Sequence, residues 1–227
     1  MKTRRAGLHN QHFPNEGAKY RKVRNDLLKA EIDLRRQTEK VAAMRRKLPK
    51  GGEVPEDYVF EDADGAVRMS ELFQRGGTLV AYSYMFGPKM KAPCPMCTAM
   101  LDALDGNSSH IGQRIDLVVI AKSPVSRIME LARSRGWSHL RLLSSEKNSY
   151  NRDYHGEAAD GSQWPMLNVF LKDKDRIRHF YATELLFAPQ EKGQEARHVD
   201  PIWPLWNLLD FTPEGRGKDW HPSLSYK

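Results

Sequence analysis

Residues 92–101 read APCPMCTAML, and they hold both cysteines of a 227-residue chain, Cys94 and Cys97, with prolines at 93 and 95. The stretch just before it, TLVAYSYMF (78–86), is a nearly continuous apolar run with β-branched and aromatic residues. That composition predicts a buried central strand. Gly87-Pro88 breaks the strand. After the cysteines, Met100, Leu101 and Leu104 recur at helical spacing, and Gly106-Asn107 predicts the helix stop. Cys94 therefore falls at the end of a buried strand and at the mouth of a helix. Pro95 suits the first helical turn, where a missing N–H costs nothing. The positive end of the helix dipole stabilises a thiolate at Cys94. Cys97 lies one turn further on the same side, where it can attack a mixed disulfide formed at Cys94. Thiol–disulfide exchange with a built-in resolving thiol needs this spacing.

Two other chemistries compete for the pair. A structural zinc site needs four ligands, and one CxxC supplies two. There is no second CxxC, no two histidines stand at H-x3–5-H spacing, and only His155 or His198 is left as a partner brought near by the fold. A peroxidatic cysteine is normally preceded by Thr or Ser at minus three and Pro at minus seven. Cys94 has Lys91 and Gly87 at those places, and Cys97 has Cys94 and Met90. Neither fits. The strand before the motif carries no carboxylate to serve as a buried proton acceptor, and Tyr82 and Tyr84 are poor acceptors.

Outward from the motif, the same alternation continues. RIDLVVIAK (114–122) predicts a second buried strand, and SPVSRIMELARSRGW (123–137) a helix capped by Ser123 and stopped at Gly136. HLRLLSS gives a third strand. Upstream, DYVFEDADGAVRMSELF predicts a hairpin about Asp64-Gly65, followed by a short helix capped by Ser70. Downstream, MLNVFLKDKDRIRHFYAT predicts a second hairpin, placed at the sheet edge, and DPIWPLWNLLD a short aromatic helix. Strands joined by crossover helices pair in parallel. The fold class is α/β, a mixed sheet with helices on both faces. The polar segment between the third strand and the second hairpin reads as a loop. Its residues Tyr150, Asn151, Asp153, Tyr154 and His155 border the site in one reading and form solvated surface in the plainer one.

Residues 1–50 carry 15 Lys/Arg against 5 Asp/Glu, whereas the remainder is mildly acidic. Residues 16–48 predict one long helix with a seam at Tyr20, Val23, Leu27, Leu34, Val41, Met44 and Leu48. The basic residues surround that seam and do not line one face, which argues against a nucleic-acid arm and for packing, on the chain's own domain or on a second subunit. The expected division is a basic helical extension over 1–52 and an α/β domain over 53–227. The start, MKTRRAGLHNQHFP, has no apolar core of the kind a secretory leader needs, and no run approaches a membrane span. Two cysteines are too few for a disulfide-stapled secreted fold. A cytoplasmic location is expected.

The runs LLKAEIDLRRQTEKVAAMRRKLPKGGEVPEDYVFE, YSYMFGP, PCPMCTAMLD, AKSPVSRIMELARSRGW, LRLLSSEKNSYNRDYHG, PMLNVFLKD and DPIWPLWNLLDFTPEGRG together resemble the thioredoxin-like family known as domain of unknown function 899. The resemblance spans roughly residues 15–218. It implies a thioredoxin-like fold preceded by a long N-terminal helix, and it names no substrate. In that fold a cis-proline precedes the hairpin strand beside the CxxC. The position here is Pro165, so the Trp164–Pro165 bond is expected to be cis and to shape a substrate groove with Pro95. The reading is a thiol–disulfide oxidoreductase with Cys94 as nucleophile and Cys97 as resolving thiol. It acts on protein or small-molecule disulfides with a thiol electron donor, calls for no cofactor or metal, and pairs the chain as a homodimer through the helix. The alternatives are a non-catalytic binding or scaffold protein, and a metal or small-ligand binder through the cysteines.

Overall fold

The computed structural model describes residues 8–226, and the first seven residues of the basic N-terminal stretch lie outside them. The chain divides into two units, Met1–Pro49 and Lys50–Lys227.

The first unit is built on one helix, α1 (Ala18–Arg46), of 29 residues. It contains no glycine or proline, and Lys29–Asp26 and Arg36–Asp33 pair one turn apart along its surface. Arg45 and Arg46 sit in its last turn, where cations suit the dipole. Tyr20, Val23, Leu27, Leu34 and Met44 of the seam are exposed, as is Leu48 just beyond the helix.

The second unit holds a seven-stranded sheet. The strands are β1 (Val59–Asp62), β2 (Gly65–Arg68), β3 (Thr78–Tyr84), β4 (Asp116–Ala121), β5 (Arg141–Ser144), β6 (Leu167–Asp173) and β7 (Arg176–Ala182), in the order β2-β1-β5-β4-β3-β6-β7. β3, β4 and β5 are parallel, with Tyr82 opposite Val119 and Val119 opposite Leu142. β6 runs antiparallel to β3, with Tyr82 opposite Leu167. The second hairpin thus places β6 inside the sheet, and only β7 at its edge. The crossovers are α2 (Pro95–Ile111) and α3 (Val125–Arg135). Both step in the same direction across the sheet, so right-handed connections put both on one face. There α5 (Pro204–Leu209) joins them, with Trp203 and Trp206 in the same apolar cluster as Tyr82, Tyr84, Cys97, Leu101 and Ile128. The other face is covered by a 3-10 turn (Met69–Leu72) and the one-turn α4 (Tyr150–Asp153), which pack Met69, Leu72 and Tyr150 on Leu79, Ile120 and Phe170. The order β4-β3-β6-β7, with a helix between β3 and β4 and another after β7, makes the fold thioredoxin-like. β5 and the β1–β2 hairpin extend it.

Several local details differ from the sequence reading. α2 runs through Gly106-Asn107, where the Asn107 amide and the Ser108 hydroxyl bond back to the carbonyls of Ala103 and Leu104. Ser70 lies inside its turn and bonds to Asp57, and Ser123 lies before Pro124, which takes the cap position of α3. Tyr150 and Asn151 are fully buried and do not belong to a solvated loop. Tyr150 meets Tyr58 and Phe60 edge-on at ring distances of 5.5 and 5.3 Å. Gly136 does end α3, in the left-handed conformation at φ 72°. The segment after α1 lies along β7: Gly51 N–H donates to His179 O, His179 N–H to Gly52 O, and Val54 N–H to Ile177 O.

α2 is tied to the α3–β5 turn by two aspartates. Asp102 accepts from Trp137 Nε1 (2.8 Å) and pairs with Arg135. Asp105 accepts the backbone N–H groups of His139 (2.9 Å) and Leu140 (3.0 Å). Burial pushes the Asp105 carboxyl up, but these donors outweigh it and hold the group below its ordinary value. Its contribution to stability is therefore present above the unfolded value of about 3.9 and is lost as pH falls through the folded one. Asp105→Ala strands two N–H groups and should cost about 1–3 kcal/mol in thermal unfolding at neutral pH. The gap from the parent should close below about pH 4. An equal gap at both pH values would show that Asp105 acts through packing alone.

Candidate active site

The site is assembled where β3 ends and α2 begins. β3 alternates, so Tyr82 and Tyr84 both face α2 while Ser83 faces the other cluster. The connecting loop is strapped from α3. Arg127 donates to Met90 O (2.8 Å) and Pro88 O (3.3 Å), and its guanidinium lies 4.5 Å from the centroid of the Phe86 ring. Cys94 N–H then donates to Met85 O at 3.0 Å, returning the chain to the strand end.

Cys94 is the N-cap of α2, with Pro95 at the first helical position. Its sulfur accepts the N–H of Cys97 at 3.4 Å, and its carbonyl accepts both the N–H (3.0 Å) and the hydroxyl (2.8 Å) of Thr98. Tyr84 hydroxyl lies 2.5 Å from Thr98 Oγ1. Because the Thr98 proton is given to Cys94 O, the tyrosine is the donor in that contact. Both cysteines are free; Cys94 is partly exposed and Cys97 buried. The Cys97 thiol donates to Cys94, and together with the N–H groups of Cys97 and Met96 it outweighs burial and lowers the Cys94 pKa to about 6. Cys97 is pushed well above the ordinary thiol range by that same bond, by burial and by the charge on Cys94. The Tyr82 hydroxyl, in the same buried cluster, opposes this.

Pro165 lies at the same end of the sheet. Met166 O accepts from Ser83 N–H at 2.7 Å, and the Gln163 side chain packs against Gly87. The expected cis bond is absent: every peptide bond among the described residues is trans. Trans is the usual state even at proline, and here the turn is fixed by other means. Met166 N–H donates to Trp164 O (3.1 Å), and His198 Nε2 donates to Pro165 O (2.7 Å). The substrate-pairing edge that a cis-proline provides therefore drops out. Trp164 packs its ring on Phe187 at 5.5 Å, as does His155 at 5.8 Å. Among the described residues no three His, Cys, Asp or Glu side chains converge as a metal site. None of their helices is long and apolar enough to cross a membrane.

The family described as "Bacterial protein of unknown function (DUF899)" matches residues 10–226. The chain belongs to this family. No curated protein matches its sequence. Among solved structures, this DUF899 chain is similar to an exposed lipoprotein thioredoxin from Streptococcus pneumoniae strain TIGR4, at 13% identity over 65% of this chain and 98% of that one (TM-score 0.42). It is similar also to a peroxiredoxin-like protein from Aquifex aeolicus, at 14% over 60% and 73% (TM-score 0.43), and to thioredoxin peroxidase I of Plasmodium yoelii, at 17% over 79% and 99% (TM-score 0.45).

Two groups of this DUF899 site, Arg127 and Thr98, escaped the sequence reading, which weighed Tyr82 and Tyr84 only as poor proton acceptors. The tyrosines left one usable signal. Two of them two residues apart on a buried strand put both hydroxyls on one face, where each needs a partner. Limiting iodoacetamide should label Cys94 before Cys97, at a rate that rises as pH passes through about 6. Labelling of Cys97 first would reverse their order of reactivity.

Proposed function

We propose that the chain is a thiol–disulfide oxidoreductase. The observation that carries this reading is the asymmetry of the pair, a partly exposed Cys94 favoured as thiolate beside a buried Cys97 kept as thiol. Cys94 thiolate attacks a substrate disulfide; a bond forms from Cys94 to one substrate sulfur, and the other leaves and takes up a proton. Cys97 then gives up its proton and attacks the Cys94 sulfur. The Cys94–Cys97 disulfide forms, and the second substrate sulfur leaves as a thiol. Two electrons pass from the pair to the substrate, and an external thiol donor restores the pair. Substrates are disulfides of proteins or small molecules. Pro95 holds the helix start open to them, while Trp164 and Pro165 supply an aromatic border at the same end of the sheet. A reducing compartment, the cytoplasm, suits a pair held as thiols. The test is insulin reduction with a thiol donor. Cys97→Ser should accumulate mixed disulfides with the substrate and Cys94→Ser should not. Failure of the parent chain to reduce insulin or a small disulfide would favour a binding or scaffold role.

In the same proposal two copies pair through α1. The exposed side chains of its seam are each worth about 1.5–3 kcal/mol on burial, and at 1.5 Å per residue the helix offers a seam about 44 Å long. Sedimentation of the intact chain should show a dimer, and Leu27→Lys with Leu34→Lys should return it to a monomer. A monomeric parent chain at micromolar concentration would end the dimer proposal.

A further inference from the structure

The sulfur of Cys94 changes partner during exchange, and its grip on the helix start changes with it. As a thiolate it is a charged acceptor for the N–H of Cys97 at 3.4 Å. Bonded to a substrate sulfur it is neutral, and a neutral sulfur is a weak acceptor. This hold therefore slackens at the step in which Cys97 must reach it. The carbonyl of the same residue does not depend on what the sulfur carries. It accepts two donors from one residue, the N–H of Thr98 at 3.0 Å and its hydroxyl at 2.8 Å.

A hydroxyl bonded to the carbonyl four residues back is common on helices. Ser108 does the same to Leu104 O, and Thr38 to Leu34 O. Thr98 differs in that its oxygen also receives a bond from the sheet, from the Tyr84 hydroxyl of β3 at 2.5 Å. Both side chains are fully buried. The Tyr84 ring packs against Phe86 and Trp137, with centroids 6.1 Å away in each case, and Trp137 Nε1 bonds in turn to Asp102 of α2. Burial, with the charges of Cys97, Cys94 and Asp102, outweighs the Thr98 bond and holds the Tyr84 phenol above its ordinary value. It stays a neutral donor throughout the reaction.

We propose that Thr98 and Tyr84 form a latch that keeps the Cys94 backbone within reach of Cys97 while the Cys94 sulfur is occupied by substrate. The proposal rests on the oxidoreductase reading above. Both are positioning residues, acting through the Cys94 carbonyl. The first step needs the Cys94 thiolate, which is favoured by the Cys97 thiol and by the N–H groups of Cys97 and Met96. In the second step the Cys97 sulfur forms a bond to the Cys94 sulfur, the substrate sulfur leaves with the electron pair, and the Cys97 proton ends on it. That step depends on the two sulfurs being held together, so loss of the latch falls on it alone.

The experiment uses the intact chain and less than one equivalent of the aromatic disulfide DTNB, whose thionitrobenzoate product is coloured. Attack by Cys94 releases one thionitrobenzoate, and attack by Cys97 on the mixed disulfide releases the second. Thr98→Val combined with Tyr84→Phe removes both hydroxyls, so neither is left orphaned, and keeps the backbone N–H at position 98. The second release should slow by about tenfold, and the first should stay within about twofold of the parent. The pH midpoint of the first release should remain at about 6. Tyr84→Phe alone, the milder change, should slow the second release by about threefold. Thr98→Ser keeps the hydroxyl and should give both releases near the parent rates. A loosened helix start would instead move the first release and its midpoint. A second release at the parent rate in both Tyr84→Phe and the double variant overturns the latch. So does a loss shared equally by the two releases, or a Thr98→Ser chain as slow as the double variant. A parent chain that gives the first release and no second overturns the oxidoreductase reading itself, and the proposal with it.

Discussion

The start of α2 is the point on which the site depends. The first N–H groups of a helix have no intrahelical acceptor, and here the Cys94 sulfur is one of the atoms that takes them up. The Cys94 carbonyl is held in turn by Thr98, and Thr98 by Tyr84. A slip of the helix start by one residue would turn each side chain by about 100° around the axis. Cys94 would leave the cap, and Cys97 would leave its buried place. Everything else near the site serves to prevent that slip. Arg127 fixes the loop that precedes the cap, and Asp102 and Asp105 fix the rest of α2 against the α3–β5 turn.

Much of this was legible in the sequence. The apolar run at 78–86 and the proline at 95 locate the strand end and the helix mouth, and helical spacing then buries Cys97. What escaped has physical reasons. Gly106-Asn107 looks like a stop, but Gly106 does not adopt the left-handed conformation of a glycine cap, and the helix runs on to Ile111. Tyr150 sits in polar company along the chain, and its burial depends on Tyr58, Phe60 and Phe170, the nearest of them 20 residues distant in sequence. Arg127 lies on the polar side of its helix, and only the folded loop supplies the carbonyls it reaches. The conformation at Pro165 follows from the turn around it and not from the presence of proline.

The segment 51–54 runs beside β7, which is otherwise the outer strand of the sheet. An outer strand offers unpaired backbone groups to any other extended chain, a route to sheet-to-sheet aggregation. The polypeptide that leaves α1 occupies part of that row. At Gly51 the approach is so close that a Cβ would stand 2.5 Å from the His179 carbonyl oxygen, so a side chain there would pry the cover loose. These first residues of the α/β unit thus have a protective duty within it. Residues 51–54 act as a selvedge, the woven border that keeps a cloth from joining or fraying at its rim.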